Sequence, residues 1–335
     1  MDAIALGELL IDFVQTGETA QGAPLMAANP GGAPLNYLGA LARYGQSCGM
    51  VGMVGADAFG RQLQRTLAAY TIAFLGGVTQ EAFTTLAFVS LDERGDRSFS
   101  FARKPGADTC LKTEDIHFEE IKKARVFHFG TLSLTHEPAR SATMEAVRFA
   151  KENGVLVSFD PNYRSMLWES PDAAREAMRW GFARADAVKA GADEWELAFG
   201  IPARQAAKNL VENGAKLAFV TMGSEGCFFT NGRIERFVPA FQVDARDTTG
   251  AGDIFFGAVM SRILSSGVPV GELSEAQLLY AVRFGAAAAA LSATMPGGLP
   301  SIAEEADVLA LMGPPYEAQR SKKNLKRYTC GARGT

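Results

Sequence analysis

The feature that most restricts the fold is an alternation repeated along most of the chain. Short apolar runs of strand length alternate with longer segments of helical periodicity. The strand-like runs are residues 3–7, 47–54, 126–129, 155–159, 187–189, 217–221 and 227–230. Helical periodicity covers residues 34–44, 59–69, 138–153, 172–183, 203–212, 250–265 and 275–292. A chain that returns to a strand after each helix builds a mostly parallel sheet with helices on both faces. One region breaks the pattern. Residues 85–91 and 98–102 read as two β-rich strands, and Asp92-Glu-Arg-Gly-Asp96 between them supplies turn chemistry. Residues 10–14 form a third extended run. These pieces predict a small sheet standing apart from the main one, as a lid. An edge hairpin of the main sheet is the alternative.

Composition excludes several classes. Charged residues make up 21% and hydrophobic residues 47%, a balance suited to a globular core. A formal net charge of -4 gives no electrostatic reason to hold nucleic acid or an anionic membrane. Cys48, Cys110, Cys227 and Cys330 lie far apart without a CxxC pair, so neither a zinc site nor a redox motif is indicated. Scattered thiols fit a reducing, cytoplasmic setting. The N-terminus lacks the basic region and cleavage site of a signal peptide, and no apolar run is long enough to span a bilayer. After Pro315 the chain turns basic and polar, so 316–335 is expected to be a disordered tail beyond one domain of residues 1–315.

The strongest chemical signal is Asp247-Thr-Thr-Gly-Ala-Gly-Asp253, running into the apolar Ile254-Phe-Phe-Gly. Its glycines permit a tight helix entry and close approach of backbone to a ligand. The first N–H groups of that helix lack internal partners and, with the helix dipole, suit a phosphate or a developing anion. Asp253 falls in the first turn, where a carboxylate can take a proton from an attacking hydroxyl. Phosphoryl transfer needs these parts. Taken alone, the segment also reads as an ordinary helix start with Thr248 or Thr249 as cap. No Walker P-loop, protein-kinase HRD or DFG set, GxSxG or HExxH occurs. His117, His128 and His136 have no catalytic spacing. A second signal is Asn29-Pro-Gly-Gly-Ala-Pro-Leu-Asn36, where two glycines precede a helix and Asn36 offers a donor and an acceptor to hydroxyls.

The stretch from Asn29 to Gly60, with Gly31-Gly32-Ala33-Pro34-Leu35-Asn36 and Val54-Gly55-Ala56-Asp57-Ala58-Phe59-Gly60, resembles the N-terminal signature of the PfkB carbohydrate kinases. The segment from Asp247 to Phe255 resembles their C-terminal signature. Gly7-Glu8-Leu9-Leu10-Ile11-Asp12, Arg103-Lys104-Pro105-Gly106-Ala107-Asp108 and Asp160-Pro161-Asn162-Tyr163-Arg164 resemble fructokinases in particular. The resemblance implies a ribokinase-like three-layer α/β sandwich with a small β lid, drawn from about residues 10–30 and 83–106.

It also implies roles. Asp12, Gly31, Gly32 and Asn36 would hold sugar hydroxyls, and Arg103 on the lid, Asn162 and Arg164 would contact substrate or phosphate. Asp253 would be the base, with Gly250, Ala251 and Gly252 as the anion hole. Lys189, Glu194, Thr221, Gly223, Gly226 and Ala286 would serve ATP and its Mg²⁺. Asp247, Thr249, Ser292, Gly297 and Ser301 would form a K⁺ site. One departure stands out: Gly191 occupies the place where the family often has Asn or Ser, three residues before Glu194.

The expected reaction is phosphoryl transfer from ATP to a primary sugar hydroxyl, with fructose preferred. Kinases of 2-keto-3-deoxygluconate or a riboside are the alternative within the family. A catalytically silent binding protein is disfavoured because Asp253 and its glycines are intact. An exposed edge of the small sheet is a natural pairing surface, so a homodimer formed through the lid is expected.

Overall fold

The computed structural model describes residues 1–91 and 97–313. The expected turn at 92–96 and the tail at 316–335 therefore lie outside the described residues.

The chain opens with β1 (Ala3–Leu6). It then lays down β2 (Leu10–Glu18) and β3 (Pro24–Gly31), and enters α1 (Ala33–Arg43) directly. β4 (Cys48–Val51), β5 (Met53–Gly55), α2 (Ala58–Ala69), β6 (Ile72–Phe74) and β7 (Gly77–Thr79) follow. Next come β8 (Thr85–Leu91) and β9 (Arg97–Ala102). The αβ alternation resumes with α3 (Phe118–Lys123), β10 (Val126–Phe129), α4 (Ala139–Glu152), β11 (Leu156–Phe159), α5 (Pro171–Phe182) and β12 (Ala187–Gly191). It continues through α6 (Ala192–Phe199), α7 (Ala203–Glu212), β13 (Leu217–Thr221), β14 (Gly226–Thr230) and β15 (Glu235–Pro239). The described chain ends with α8 (Ala251–Ser265), α9 (Glu275–Ser292) and α10 (Glu305–Met312).

Nine strands form the main sheet in the order β15-β14-β13-β12-β11-β10-β1-β4-β6. All neighbours are parallel except β13–β14 and β14–β15. Parallel strands buried on both faces read as continuous apolar runs, and β1 shows why. Ala3 and Ala5 join the core with α1, α2 and α8–α10, while Ile4 and Leu6 join the core with α3–α7. The period of two thus divides one short strand between two helical layers.

The small sheet is separate, in the order β3-β2-β8-β9. β2 and β8 run parallel, and the β8–β9 pair is the expected antiparallel hairpin. The edge-hairpin alternative is not the one observed. The expected single strand at 47–54 is split into β4 and β5 at Gly52, whose backbone carbonyl packs against Gly76. Sequence reading missed β3, because Pro24-Leu-Met-Ala-Ala-Asn-Pro-Gly31 has no alternation. It also missed β6, β7, β15, α3, α6 and α10, all of which are short. His128 is a core residue, stacked on Tyr37 at 3.9 Å and bonded to Ser158. Burial, aided by Lys189, pushes its pKa down to about 3, so it stays neutral.

α8 is buried for most of its length and packs against α1 and α9. Gly257 makes the α1–α8 crossing close, since a β-carbon there would lie 2.3 Å from the Tyr37 carbonyl oxygen. Backbone cannot swing aside as a side chain can. Gly257→Ala should therefore cost about 1–3 kcal/mol of stability, as overpacked cores do. A urea unfolding midpoint equal to that of the parent chain would show that the crossing has slack.

Candidate active site

The functional residues gather at the carboxyl ends of the parallel strands, where open α/β sheets place their ligands. Glu8 follows β1, Asp160 follows β11, Lys189 lies in β12 and Thr221 ends β13. Over them lies α8, whose N-cap is Gly250 with φ 76 and no side-chain cap. Neither threonine caps it, so the helix start is available to a ligand. A residue with a β-carbon at position 250 would adopt this φ under strain and would crowd Asn36 Nδ2 at 3.0 Å.

A polar cavity of about 630 Å³ opens here. It presents Glu8, Asp12, Gly32 and Asn36, together with Lys189, Glu194 and Thr221. Asn162, Arg164, Thr249, Gly250, Gly252 and Asp253 also line it. A second, more apolar cavity of about 350 Å³ shares Thr221, Thr248 and Gly252 with the first. Gly223, Gly226, Ala251 and Ala286 line this one, with Ala289, Ala290 and Ala293 along α9 and the residue after it. Asp253 stands close to where the two meet.

Asp253 is 7% exposed, yet both carboxylate oxygens have donors. Asn36 Nδ2 donates to Oδ2 at 3.0 Å, and Asn162 Nδ2 donates to Oδ1 at 2.8 Å. Asn162 does this from a left-handed conformation, φ 45, which only a few non-glycine residues adopt. Burial, then the nearby Asp160, pushes the Asp253 pKa up to about 6, against the pull of Lys189, Asn36 and Arg164. Burial likewise raises Asp12 to about 6 and Glu8 to about 7. Lys189 Nζ pairs with Asp160 at 2.7 Å. Burial opposes its charge, but Asp160, Glu194 and Asp253 outweigh burial and hold its pKa above the usual lysine range. Asn36 Oδ1 is a buried acceptor without a hydrogen-bond partner among the described residues.

Other predicted residues sit elsewhere. Arg103 lines neither cavity. It is 4% exposed just after β9, with two nitrogens on Asp108 at 2.6 and 2.8 Å. Its remaining donors reach Thr135 Oγ1 and the Leu132 carbonyl. A buried guanidinium needs such partners, and they leave it bracing the base of the small sheet. Gly31 lies against Asp12, where a β-carbon would meet Oδ2 at 2.1 Å. Asp247 ties together the segments expected to hold a monovalent cation, accepting from Thr249 N at 2.8 Å and Gly297 N at 2.9 Å. The Ser292 and Ser301 hydroxyls are buried and donate to the nearby carbonyls of Ala289 and Gly298. At the Gly191 departure, a β-carbon would lie 2.5 Å from Asp193 Oδ1, so the Asp193 carboxylate occupies the space a side chain there would need. Among the described residues, no three His, Cys, Asp or Glu side chains gather as a metal centre.

Sequence reading gave no role to Glu8, Phe101, Leu132, Asp160 or Asp193. Glu8 and Asp160 lay inside segments singled out for other residues. Phe101 and Leu132 carry no signal of their own and reach the cavity only through the tertiary fold.

Comparison with known proteins decides the family. Residues 2–305 match the pfkB family carbohydrate kinase model. The chain belongs to this family. It is therefore a phosphotransferase with an alcohol group as acceptor, built on the ribokinase-like sandwich that the sequence predicted. Fructokinase-1 of Zea mays is 40% identical over 315 residues, covering 92% of this chain and 97% of that protein. A crystal structure of fructokinase with bound ATP from Xylella fastidiosa superposes with a TM-score of 0.83 at 31% identity, covering 92% of this chain and 98% of that one. A double-mutant fructokinase from Vibrio cholerae O395, with fructose, ADP and potassium ion bound, gives 0.82 at 30% identity, covering 93% and 99%.

The clamp on Asp253 has a measurable signature. An N–H donated to a carboxylate favours the ionised form, so removing one raises the pKa. In Asn36→Ala the Asp253 carboxyl should titrate above about 6, seen by carbon-detected NMR in the ligand-free protein. A value at or below that of the parent would mean that the amide does not hold the charge.

Proposed function

We propose that this pfkB family member is an ATP-dependent fructose kinase that forms fructose 6-phosphate and ADP. The observation that carries the reading is Asp253, clamped by two amides where a hydroxyl-binding cavity meets an alanine-lined one. The fructokinases among its relatives and structural neighbours support the choice of sugar.

In this reading, Asp12 and the unpartnered Asn36 Oδ1 hold ring hydroxyls, with the backbone of Gly31 and Gly32 beside them. The primary hydroxyl meets Asp253, which takes its proton as the oxygen bonds to the γ-phosphorus of ATP. The bond from that phosphorus to the bridging oxygen breaks, and ADP leaves with its electrons. Charge on the transferring group falls to the open N-terminus of α8 and to the Lys189 ammonium. The more apolar cavity lined by Ala286 and Ala289 would take the adenine.

Mg²⁺ would enter with the nucleotide and neutralise phosphate charge. Glu194 fits a contact through water. Its oxygens already accept from Tyr163 N and Gly191 N, each at 2.7 Å, and Mg²⁺ keeps several of its waters. Asp193 lies beside it in the cavity wall. K⁺ fits the oxygen-rich junction of Asp247, Thr249 and the 292–301 loop, and would steady the approach to α8.

Lid pairing is part of the proposal. β3 and β9 are unpaired edges of the small sheet, and Leu25 and Phe88 expose apolar surface on it. Sedimentation at micromolar concentration should give a dimer, and a monomer alone would reject the pairing. No helix among the described residues is long and apolar enough to cross a membrane. Cys48, Cys110 and Cys227 are unpaired thiols, as a reducing cytoplasm keeps them.

The test is a coupled ADP-release assay with a panel of sugars. Fructose should show kcat/KM about tenfold or more above ribose and 2-keto-3-deoxygluconate, because a site built to bond hydroxyls rejects ligands that leave its groups unpaired. Turnover should require Mg²⁺ and rise when K⁺ replaces Na⁺. Asp253→Asn should lower kcat by about 10²–10⁴-fold with the fructose KM little changed. Preference for the sugar acid would overturn the substrate, and an Asp253→Asn variant of near-normal kcat would overturn the base.

A further inference from the structure

We infer that Asp160 is a positioning residue that couples the phosphate-binding end of the site to the base, holding Lys189 with one carboxylate oxygen and the Asn162 turn with the other. Asp160 Oδ2 accepts from Lys189 Nζ at 2.7 Å, and Oδ1 accepts from the Asn162 backbone N–H at 3.3 Å. Each contact leads to the chemistry. The Lys189 ammonium lies against the first turn of α8, where a β-carbon on Gly252 would sit 2.8 Å from Nζ. The Asn162 side chain donates to Asp253 Oδ1 at 2.8 Å. One carboxylate thus fixes both a cation facing the anion hole and a donor facing the base.

The surroundings support a built device rather than a chance ion pair. Asp160 and Lys189 are 3% and 6% exposed, so neither charge can fall back on water. The loop after β11 is pinned residue by residue. Asp160 N donates to the Phe129 carbonyl at 3.3 Å, and the Thr131 hydroxyl donates to the Pro161 carbonyl at 2.6 Å. Tyr163 N donates to Glu194 at 2.7 Å. Between these anchors, Asn162 takes its left-handed φ of 45. A strained backbone held at a reacting carboxylate is a feature the fold maintains for a reason. Asp160 lines neither cavity, and in this arrangement it acts through Lys189 and Asn162.

The inference rests on the phosphoryl-transfer reading, and the experiment separates the two. Wild-type turnover of fructose in the ADP-release assay tests that reading alone. The charged and polar groups facing Asp253 are Asp12, Asp160, Lys189 and Arg164, with the amides of Asn36 and Asn162. Asp160→Asn keeps an acceptor for the Asn162 N–H but loses the charge for Lys189. Its kcat should fall on the order of 10- to 100-fold, the scale of a small misplacement of reacting groups. Asp160→Ala, lacking both contacts, should fall further. The fructose KM should change less than kcat in both.

A purely structural role would not move the pH profile. Asp160 helps hold the Asp253 pKa up, so its loss should shift the acid limb of kcat/KM to lower pH in Asp160→Asn. If that variant does not fold, the Asp160→Asn/Lys189→Met pair removes both halves of the Asp160–Lys189 ion pair, so neither is left buried without the other. Its kcat should then be no lower than that of Lys189→Met alone. Three results would overturn the inference: wild-type kcat in a folded Asp160→Asn variant, an acid limb that stays in place as kcat falls, or losses in the double variant that multiply.

Discussion

A buried carboxylate, Asp253, is the constraint around which this molecule is arranged, and in the phosphoryl-transfer reading it must be ionised to act. Burial alone would protonate Asp253 at neutral pH or cost several kcal/mol to prevent it. The remedy is two amide donors, and neither can be local. Asn36 is 217 residues away in sequence and Asn162 is 91. One comes from the first helix, the other from a strained turn at the end of a central strand. Bringing both to the start of α8 requires the sheet order observed, with β1 and β11 flanking β10 and α1 crossing α8 closely at Gly257. The fold can be read as the scaffold that delivers two N–H groups to one side chain.

Charge balance in the cavity follows from the same arrangement. Glu8, Asp12, Asp193, Glu194 and Asp253 line it together, against Lys189 and Arg164. A site so acidic repels a polyphosphate unless cations accompany it. The described residues gather no metal centre of their own. In the proposed reading that cation is the Mg²⁺ carried on the nucleotide, with a contact to Glu194 through water. The acidic end suits a polyol, whose hydroxyls donate to carboxylates. It suits a sugar acid poorly, even with Arg164 near, because Asp12 and Glu8 would face the added charge.

How much of this was legible in sequence depends on what each residue answers to. The main strands were legible because burial on both faces makes them apolar throughout, as in Ala3-Ile-Ala-Leu6. The base and its glycines were legible because helix-start chemistry is local: Gly250, Gly252 and Asp253 are neighbours in the chain. β3 was not, since its pairing to β2 and not its composition makes it a strand. Asn162 was assigned to the substrate, yet its amide is directed at Asp253. Motif spacing carries no information about which of two polar neighbours a side chain will choose. Asp160 was hidden in the same motif, because a carboxylate at a strand end looks like a turn residue until the partner strand brings Lys189 beside it.

Arg103 makes the point from the other side. A resemblance to kinases marks its position as one that needs an arginine, and the structure supplies a reason that does not involve the ligand. β9 leaves the small sheet at Arg103, and the guanidinium anchors that exit to Asp108, Thr135 and the Leu132 carbonyl. The entrance is anchored as well. Asp57 accepts from the Thr84 backbone N–H at 2.8 Å, and Thr85 bonds Asp108. Both chain ends of the β8–β9 pair therefore run through buried polar knots joined at Asp108. The small sheet is thus anchored where the chain enters and leaves the β8–β9 pair. In the proposed reading, anchoring of this kind suits a cover over the site, since water admitted beside Asp253 would compete for the phosphoryl group.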